Sequence, residues 1–151
     1  DLNQACEQTH GVAMAQIMDG KLVADKLLFD LKIRIEEDAK KKRKPCLSVI
    51  LVGDDPASHI YVARKHKMCA ELGITSKAYS LPYDAKEDDL LSLIKELNQD
   101  KSIDGILVQL PLPKHIDSFR ITEAISPEKD VDGLTALNQG YLTINRPKII
   151  P

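Results

Sequence analysis

From Lys21 the apolar positions recur in helical steps. Ala24, Leu27, Leu28, Leu31, Ile35 and Ala39 fall three and four residues apart and draw one stripe along an amphipathic helix. Pro45 closes that pattern. Leu47-Ser-Val-Ile-Leu-Val52 follows, bounded by Gly53-Asp-Asp-Pro56, as expected of a strand buried on both faces. A second helix is predicted from about Ser58, or slightly before it, to Gly73, where glycine supplies a left-handed stop. Residues 74–81 form a weaker strand candidate. Asp84-Ala-Lys-Glu87 has the spacing of a capping box, and Leu90, Leu91, Ile94 and Leu97 form the next helical stripe. Asp104-Gly105 leads into a second buried strand, Ile106-Leu-Val-Gln-Leu110, stopped by Pro111-Leu-Pro113. A shorter helix, roughly 117–125, precedes the turn Ser126-Pro127. This alternation predicts an α/β fold, a three-layer parallel β-sheet with helices on both faces.

Residues 1–13 show neither period and read as a leader or disordered arm, with the domain running from Met14 to Pro151. The length of 151 residues suits one domain with a core of its own. The net charge of −2 argues against an electrostatic nucleic-acid binder. The run Lys40-Lys-Lys-Arg-Lys44 follows a helical pattern and precedes Pro45, so it reads as a solvated helix end that favours cations rather than a nucleic-acid patch. No apolar run reaches the length of a membrane span, so no membrane partner is expected. Cys6, Cys46 and Cys69 form no C-x-x-C pair, and His10, His59, His66 and His115 make no ligand pattern with them. No metal site is therefore expected, and a reducing, cytoplasmic setting fits.

In parallel sheets ligands bind outside the carboxyl ends of the strands, which points to the loops 53–58 and 109–113. Neither holds a phosphate-binding glycine fingerprint, so a dinucleotide is not expected on this stretch in the usual way. Three polar features lie near that edge. Tyr61 and Lys65 stand four apart on one helix face, with Ser58 a turn earlier; most such pairs are surface contacts, but this helix starts at the carboxyl end of a buried strand. Gln109 interrupts an apolar strand, either as an amide satisfied by loop backbone or as a partner for a group such as Lys65. Lys129-Asp-Val-Asp-Gly133 reads as a solvated acidic turn or as a pair of carboxylates, Asp130 and Asp132, aimed one way by an extended chain. It lacks the further ligands of a calcium loop.

Asp19-Gly-Lys21, Val52-Gly-Asp54 with Ser58-x-x-Tyr61-Val-x-x-Lys65, Gly105-Ile-Leu-Val-Gln-Leu-Pro-Leu-Pro113 and Pro127-x-Lys-Asp-Val-Asp-Gly133 occur in this order. Together they resemble the amino-terminal catalytic domain of the bifunctional methylenetetrahydrofolate dehydrogenase/methenyltetrahydrofolate cyclohydrolases, over nearly the whole chain from Met14. Each motif is modest alone; in register they are specific. The resemblance implies one-carbon folate chemistry, with tetrahydrofolate derivatives as substrates. Lys65 would be the catalytic lysine, Tyr61 would stack along the folate, Gln109 would hold the lysine, and Asp132 would accept from the pterin amino and N–H groups. Ser58, Pro111 and the backbone near Val108 and Leu110 would line the same pocket. The cofactor implied is NADP, with NAD as the alternative, and the intact enzyme would be a homodimer.

The residue types suit that chemistry. Hydride removal from the methylene bridge leaves a cationic methenyl bridge, and water must then add to it and open the ring. A lysine beside the cation can pass protons, while a carboxylate matches a donor-rich pterin edge and orients it. In the family a Rossmann domain that holds the nicotinamide normally follows; with none here, dehydrogenase activity is not expected of this chain by itself. Two rival readings remain. A receiver-type signalling domain would use Asp54-Asp55 for magnesium, but Gln109-Leu-Pro111 stands where its third-strand aspartate belongs. A non-catalytic folate-binding or regulatory fragment would keep the fold without turnover.

Overall fold

The computed structural model describes residues 19–40 and 42–149. The leader expected over residues 1–13 and the start at Met14 lie outside the described residues, as do Cys6 and His10. The elements run α1 (Gly20–Ala39), β1 (Cys46–Val52), α2 (Pro56–Leu72), β2 (Thr75–Leu81), α3 (Glu87–Gln99), β3 (Gly105–Val108), α4 (Ser118–Glu123) and α5 (Ala136–Thr143). The sheet order is β2-β1-β3, parallel throughout, with Cys46 opposite Thr75 and Leu47 opposite Gly105. The predicted α/β class holds, and helix α2, which carries Tyr61 and Lys65, starts at the carboxyl end of the central strand.

Alternation along β1 divides the core. Cys46, Ile50 and Val52 join Ile106 and Val108 of β3 and Leu90, Ile94 and Leu97 of α3 in one buried cluster. The intervening positions of β1, with Leu107 of β3, turn to the opposite face, which α2 covers. Ile50, Leu90 and Ile94 have no solvent exposure, and full burial of each such side chain is worth about 1.5–3 kcal/mol.

The helix boundaries follow local chemistry. The Asp19 carboxylate accepts from the Lys21 and Leu22 amides and caps α1. At α2, Asp55 accepts from the Ser58 amide and Pro56 takes the first turn. The helix ends as expected at Gly73, whose φ of 80° lies in the left-handed region.

Three expectations need correction, and one element was not foreseen. The apolar stripe of α1 is there, but only Ile35 is buried on it; Leu27 is 64% exposed and Ala24 and Leu31 are open as well. The periodicity marks a face able to be covered, and among the described residues little covers it. The Asp84–Glu87 capping box does not form. α3 opens at Lys86 without a side-chain cap, because the Glu87 carboxylate is drawn away to Arg120 at 2.5 Å and to the Asp117 amide at 2.8 Å. The third strand closes at Val108, two residues early, so Gln109 and Leu110 belong to the loop beyond it. Helix α5 was not anticipated.

The basic run resolves into a clamp at its end. Arg43 makes a two-pronged contact with Asp104, at 2.6 and 2.8 Å, and also donates to the Lys101 carbonyl. The Arg43 side-chain hydrogen bond outweighs the effect of burial and holds the Asp104 carboxyl below its ordinary value. Asp104 also accepts from the Cys46 amide at 2.8 Å, which ties the approach to β3 to the start of β1. Among the described residues no helix is long and apolar enough to cross a membrane, and no group of three or more His, Cys, Asp or Glu residues could hold a metal ion.

Candidate active site at the carboxyl edge of the sheet

Gln109 leaves β3 with its amide donating to the Ile50 carbonyl at 2.8 Å, so its backbone is still fixed by the central strand. Its side chain reaches two partners. Oε1 accepts from Lys65 Nζ at 3.0 Å, and Nε2 donates to the Leu110 carbonyl at 2.7 Å. The second bond fixes the first. A reversed amide would set oxygen against a carbonyl and NH2 against an ammonium, two repulsive contacts. Lys65 and Gln109 are 44 residues apart in sequence, and the crossing from α2 to the end of β3 joins them.

Asp132 completes the group. It is half-buried in the turn after the single bridge between Ile106 and Asp130. Burial pushes its carboxyl above the ordinary value; the Lys65 charge pulls it down and the Asp130 charge pushes it up, and burial with Asp130 wins. The two aspartates do not act as the expected like-aimed pair. Asp130 is 1% exposed, and its carboxylate is consumed by the Leu134 and Thr135 amides and the Asn138 side chain. The chain turns at 131–132 instead of staying extended, which separates their environments.

The turn lies close against β3 because residue 105 has no side chain. A Cβ on Gly105 would stand 2.5 Å from Val131 Cγ1 and 3.2 Å from Leu47 Cδ1. Valine is stiff at χ1 and cannot swing aside freely. Gly105→Ala should therefore destabilise the protein by about 1–3 kcal/mol through overpacking. Val131→Ala added to it should recover most of that loss, as read in thermal melts. A Gly105→Ala protein that melts like the parent would show that the turn is not seated on this glycine.

The remaining expected residues divide. Ser58 is 2% exposed within the α2 cap. Tyr61 is 55% exposed on α2, one turn before Lys65. The Val108 side chain belongs to the core on the α3 face, so only its backbone is available. Leu110 and Pro111 are exposed, joined by a cis peptide bond, and the Leu110 carbonyl is already taken by Gln109. A cavity of about 430 Å³ opens at the same sheet edge, lined in part by Gly53, Asp55, Tyr83, Pro111 and Lys114. It contains neither Lys65, Gln109 nor Asp132, so the hollow and the Lys65–Gln109 pair are separate features of the same edge.

Sequence reasoning missed the supports. Lys129 donates to the carbonyls of Leu97, Asn98 and Asp100 at 2.8–2.9 Å, satisfying the end of α3 and anchoring the chain ahead of Asp130. Asn138 and Gln139 of α5 bond back to Pro127 and Gly133. The Lys-Asp-Val-Asp-Gly spelling carried the only hint.

A nicotinamide dinucleotide does not fit these residues. The loop from β1 to α2 offers Asp54 and Asp55 where a pyrophosphate would need bare amides, and the Asp55 carboxylate already occupies the α2 amino terminus. The Ser58 hydrogen bonds hold that carboxyl below its ordinary value.

Comparisons with known proteins identify the family and the fold. Residues 18–132 match the model of the tetrahydrofolate dehydrogenase/cyclohydrolase catalytic domain. The bifunctional protein FolD of Geotalea uraniireducens is 50% identical over 138 residues, 91% of this chain and 49% of that protein. The chain thus spans about half the length of the curated relatives it matches. The crystal structure of the bifunctional FolD dehydrogenase/cyclohydrolase of Campylobacter jejuni superposes with a TM-score of 0.85 at 46% identity, covering 88% of this chain and 48% of that one. The Trypanosoma brucei enzyme, solved with NADP and an inhibitor, gives 0.84 at 34% identity, over 91% and 48%. On the family match and these relatives, the chain belongs to the tetrahydrofolate dehydrogenase/cyclohydrolase catalytic-domain family.

Proposed function

We propose that this chain supplies the folate side of a methylenetetrahydrofolate dehydrogenase/methenyltetrahydrofolate cyclohydrolase. It would act in the interconversion of 5,10-methylene-, 5,10-methenyl- and 10-formyltetrahydrofolate. The observation that carries the reading is the Lys65–Gln109 hydrogen bond of 3.0 Å beside the half-buried Asp132, at the carboxyl edge of β3.

A neutral acceptor aims the lysine without giving it a permanent charged partner. Lys65 then faces a cationic methenyl bridge as the group that passes protons while water adds to the bridge carbon and the ring opens. Asp132 accepts from the pterin amino and N–H groups and orients the bridge. Tyr61 lies along the aromatic part of the folate, and Ser58, Pro111 and the backbone at Val108 and Leu110 shape the pocket wall.

The dinucleotide belongs to the other half of such a protein: NADP, with NAD as the alternative. The acidic α2 entry on this chain speaks against binding it here. The whole protein is proposed to be cytoplasmic and homodimeric.

This chain joined to the remaining half of a relative should oxidise methylenetetrahydrofolate with a nicotinamide cofactor and hydrolyse the methenyl product. The chain alone should bind NADP too weakly to measure by calorimetry. Tight NADP binding to the chain alone, or no turnover by a folded joined protein, would overturn the reading.

A further inference from the structure

The segment that carries Asp132 is secured at three points, and the middle one is a buried carboxylate. Its entry is laid against β3, where the Ile106 amide donates to the Lys129 carbonyl at 2.7 Å. The Gly133 amide then folds back to the Asp130 carbonyl at 3.2 Å. Inside this turn the Asp130 carboxylate accepts from the Leu134 amide at 3.2 Å, the Thr135 amide at 2.9 Å and Asn138 Nδ2 at 2.9 Å. Asn138 Nδ2 also donates to the Pro127 carbonyl at 2.9 Å, and Gln139 Nε2 donates to the Gly133 carbonyl at 2.6 Å. Helix α5 therefore holds the segment before, within and after the turn.

A buried carboxylate with three donors is a demanding arrangement. Burial pushes Asp130 up, but the amides of Thr135 and Leu134 and the Asn138 side chain outweigh it, so it stays ionised. Three of its roughly four acceptor sites are taken by these donors. Asp132, two residues on, accepts from none of these donors, and the Lys65 charge acts on its carboxyl.

We propose that Asp130 is a positioning residue for the folate site: with Asn138 it fixes the turn that carries the Asp132 carboxylate. This rests on the functional reading above for its kinetic consequence and on the hydrogen bonds alone for its structural one. Asp130→Asn keeps the shape but sets an NH2 group against one of the three donors. Misplacing a positioned group by about 1 Å can cost 10²-fold, and a partial slip of the turn costs less.

The test uses the joined protein. Asp130→Asn should raise the KM for the folate about 10-fold while leaving the KM for the nicotinamide cofactor unchanged. In an Asp132→Ala background the same substitution should add almost nothing, because the group it positions is gone. Asn138→Ala and Gln139→Ala should show the same pattern, smaller, and stand in for Asp130→Asn should it fail to fold. A wild-type folate KM in folded variants, or losses that multiply with Asp132→Ala, would overturn the proposal. Amide exchange at Gly133, Leu134 and Thr135 needs no substrate. It should quicken in Asp130→Asn, and unchanged protection would overturn the structural half. Failure of the functional reading shows differently, as a parent protein without folate turnover.

Discussion

Lys65→Met in the joined protein should abolish most methenyl hydrolysis, by about 10²–10⁴ in rate, while the protein folds. Methionine keeps the length and apolar stem of lysine and removes only the ammonium. Lys65 is half-buried in the middle of α2, and among the described residues its one hydrogen bond is to Gln109, so the core loses nothing. Freed of Lys65, Gln109 keeps its bond to the Leu110 carbonyl and can take water at Oε1. The dehydrogenase step moves a hydride, which does not itself require a proton carrier, and should be weakened less. Gln109→Ala should lower hydrolysis by a smaller factor, because the ammonium survives and only its aim is lost. Loss of the methenyl chromophore, corrected for the spontaneous reaction, reads both. Parent-like hydrolysis in a folded Lys65→Met protein would remove the lysine from the mechanism, and with it the centre of the proposed site.

The central strand and the carboxyl end of α2 were readable because each rests on local chemistry, a short apolar run and a glycine at 73; the start of α2, expected near Ser58 or slightly before it, lies at Pro56, where Asp55 caps it. What sequence spacing could not give was pairing over distance. The capping box at Asp84 failed because Arg120, 33 residues away, competes for Glu87. The α1 stripe was visible as a pattern, but a pattern states that a face can be covered and not what covers it. Helix α5 was hidden because its eight residues include Gly140 and place only Asn138 in the interior, so no apolar stripe announces it. Lys65 and Gln109 were each noticed as oddities, and only resemblance to a family joined them to Asp132. The distinction between Asp130 and Asp132 was out of reach for the same reason. Both are aspartates one residue apart from Val131, and their difference arises from amides and an asparagine that reach them only after the chain turns.

That difference leads to an effect of opposite sign on stability and on binding. Asp132→Asn should make the protein more stable at neutral pH and a poorer folate binder. Burial, helped by the Asp130 charge, raises the Asp132 carboxyl above its ordinary value of 3.8 despite Lys65. A group raised in the fold holds its proton more tightly there than in the unfolded chain. Its ionised form therefore costs stability, a cost absent below 3.8 that grows in as the pH rises through the folded value. Asparagine never carries the charge, so the gain in melting temperature should be present at pH 7 and shrink as the pH falls toward that limit. Asp130 has the reverse sign. Its lowered carboxyl contributes stability above 3.8 that is lost as the pH falls through its folded value, so acid melts of the Asp132→Asn protein should still show that loss. Binding moves the other way. Hydrogen bonds to a charged group are worth about 1.5–3 kcal/mol, so replacing the carboxylate should weaken folate affinity about 10- to 100-fold. In the parent, affinity should fall on acidification at a higher pH than an ordinary carboxylate would give, and in Asp132→Asn that fall should vanish. Folate titrations between about pH 4 and 8, and thermal melts carried down to about pH 2, test both halves. A variant less stable than the parent at pH 7 would show that attraction to Lys65 outweighs burial. An unchanged folate affinity would take Asp132 out of the site.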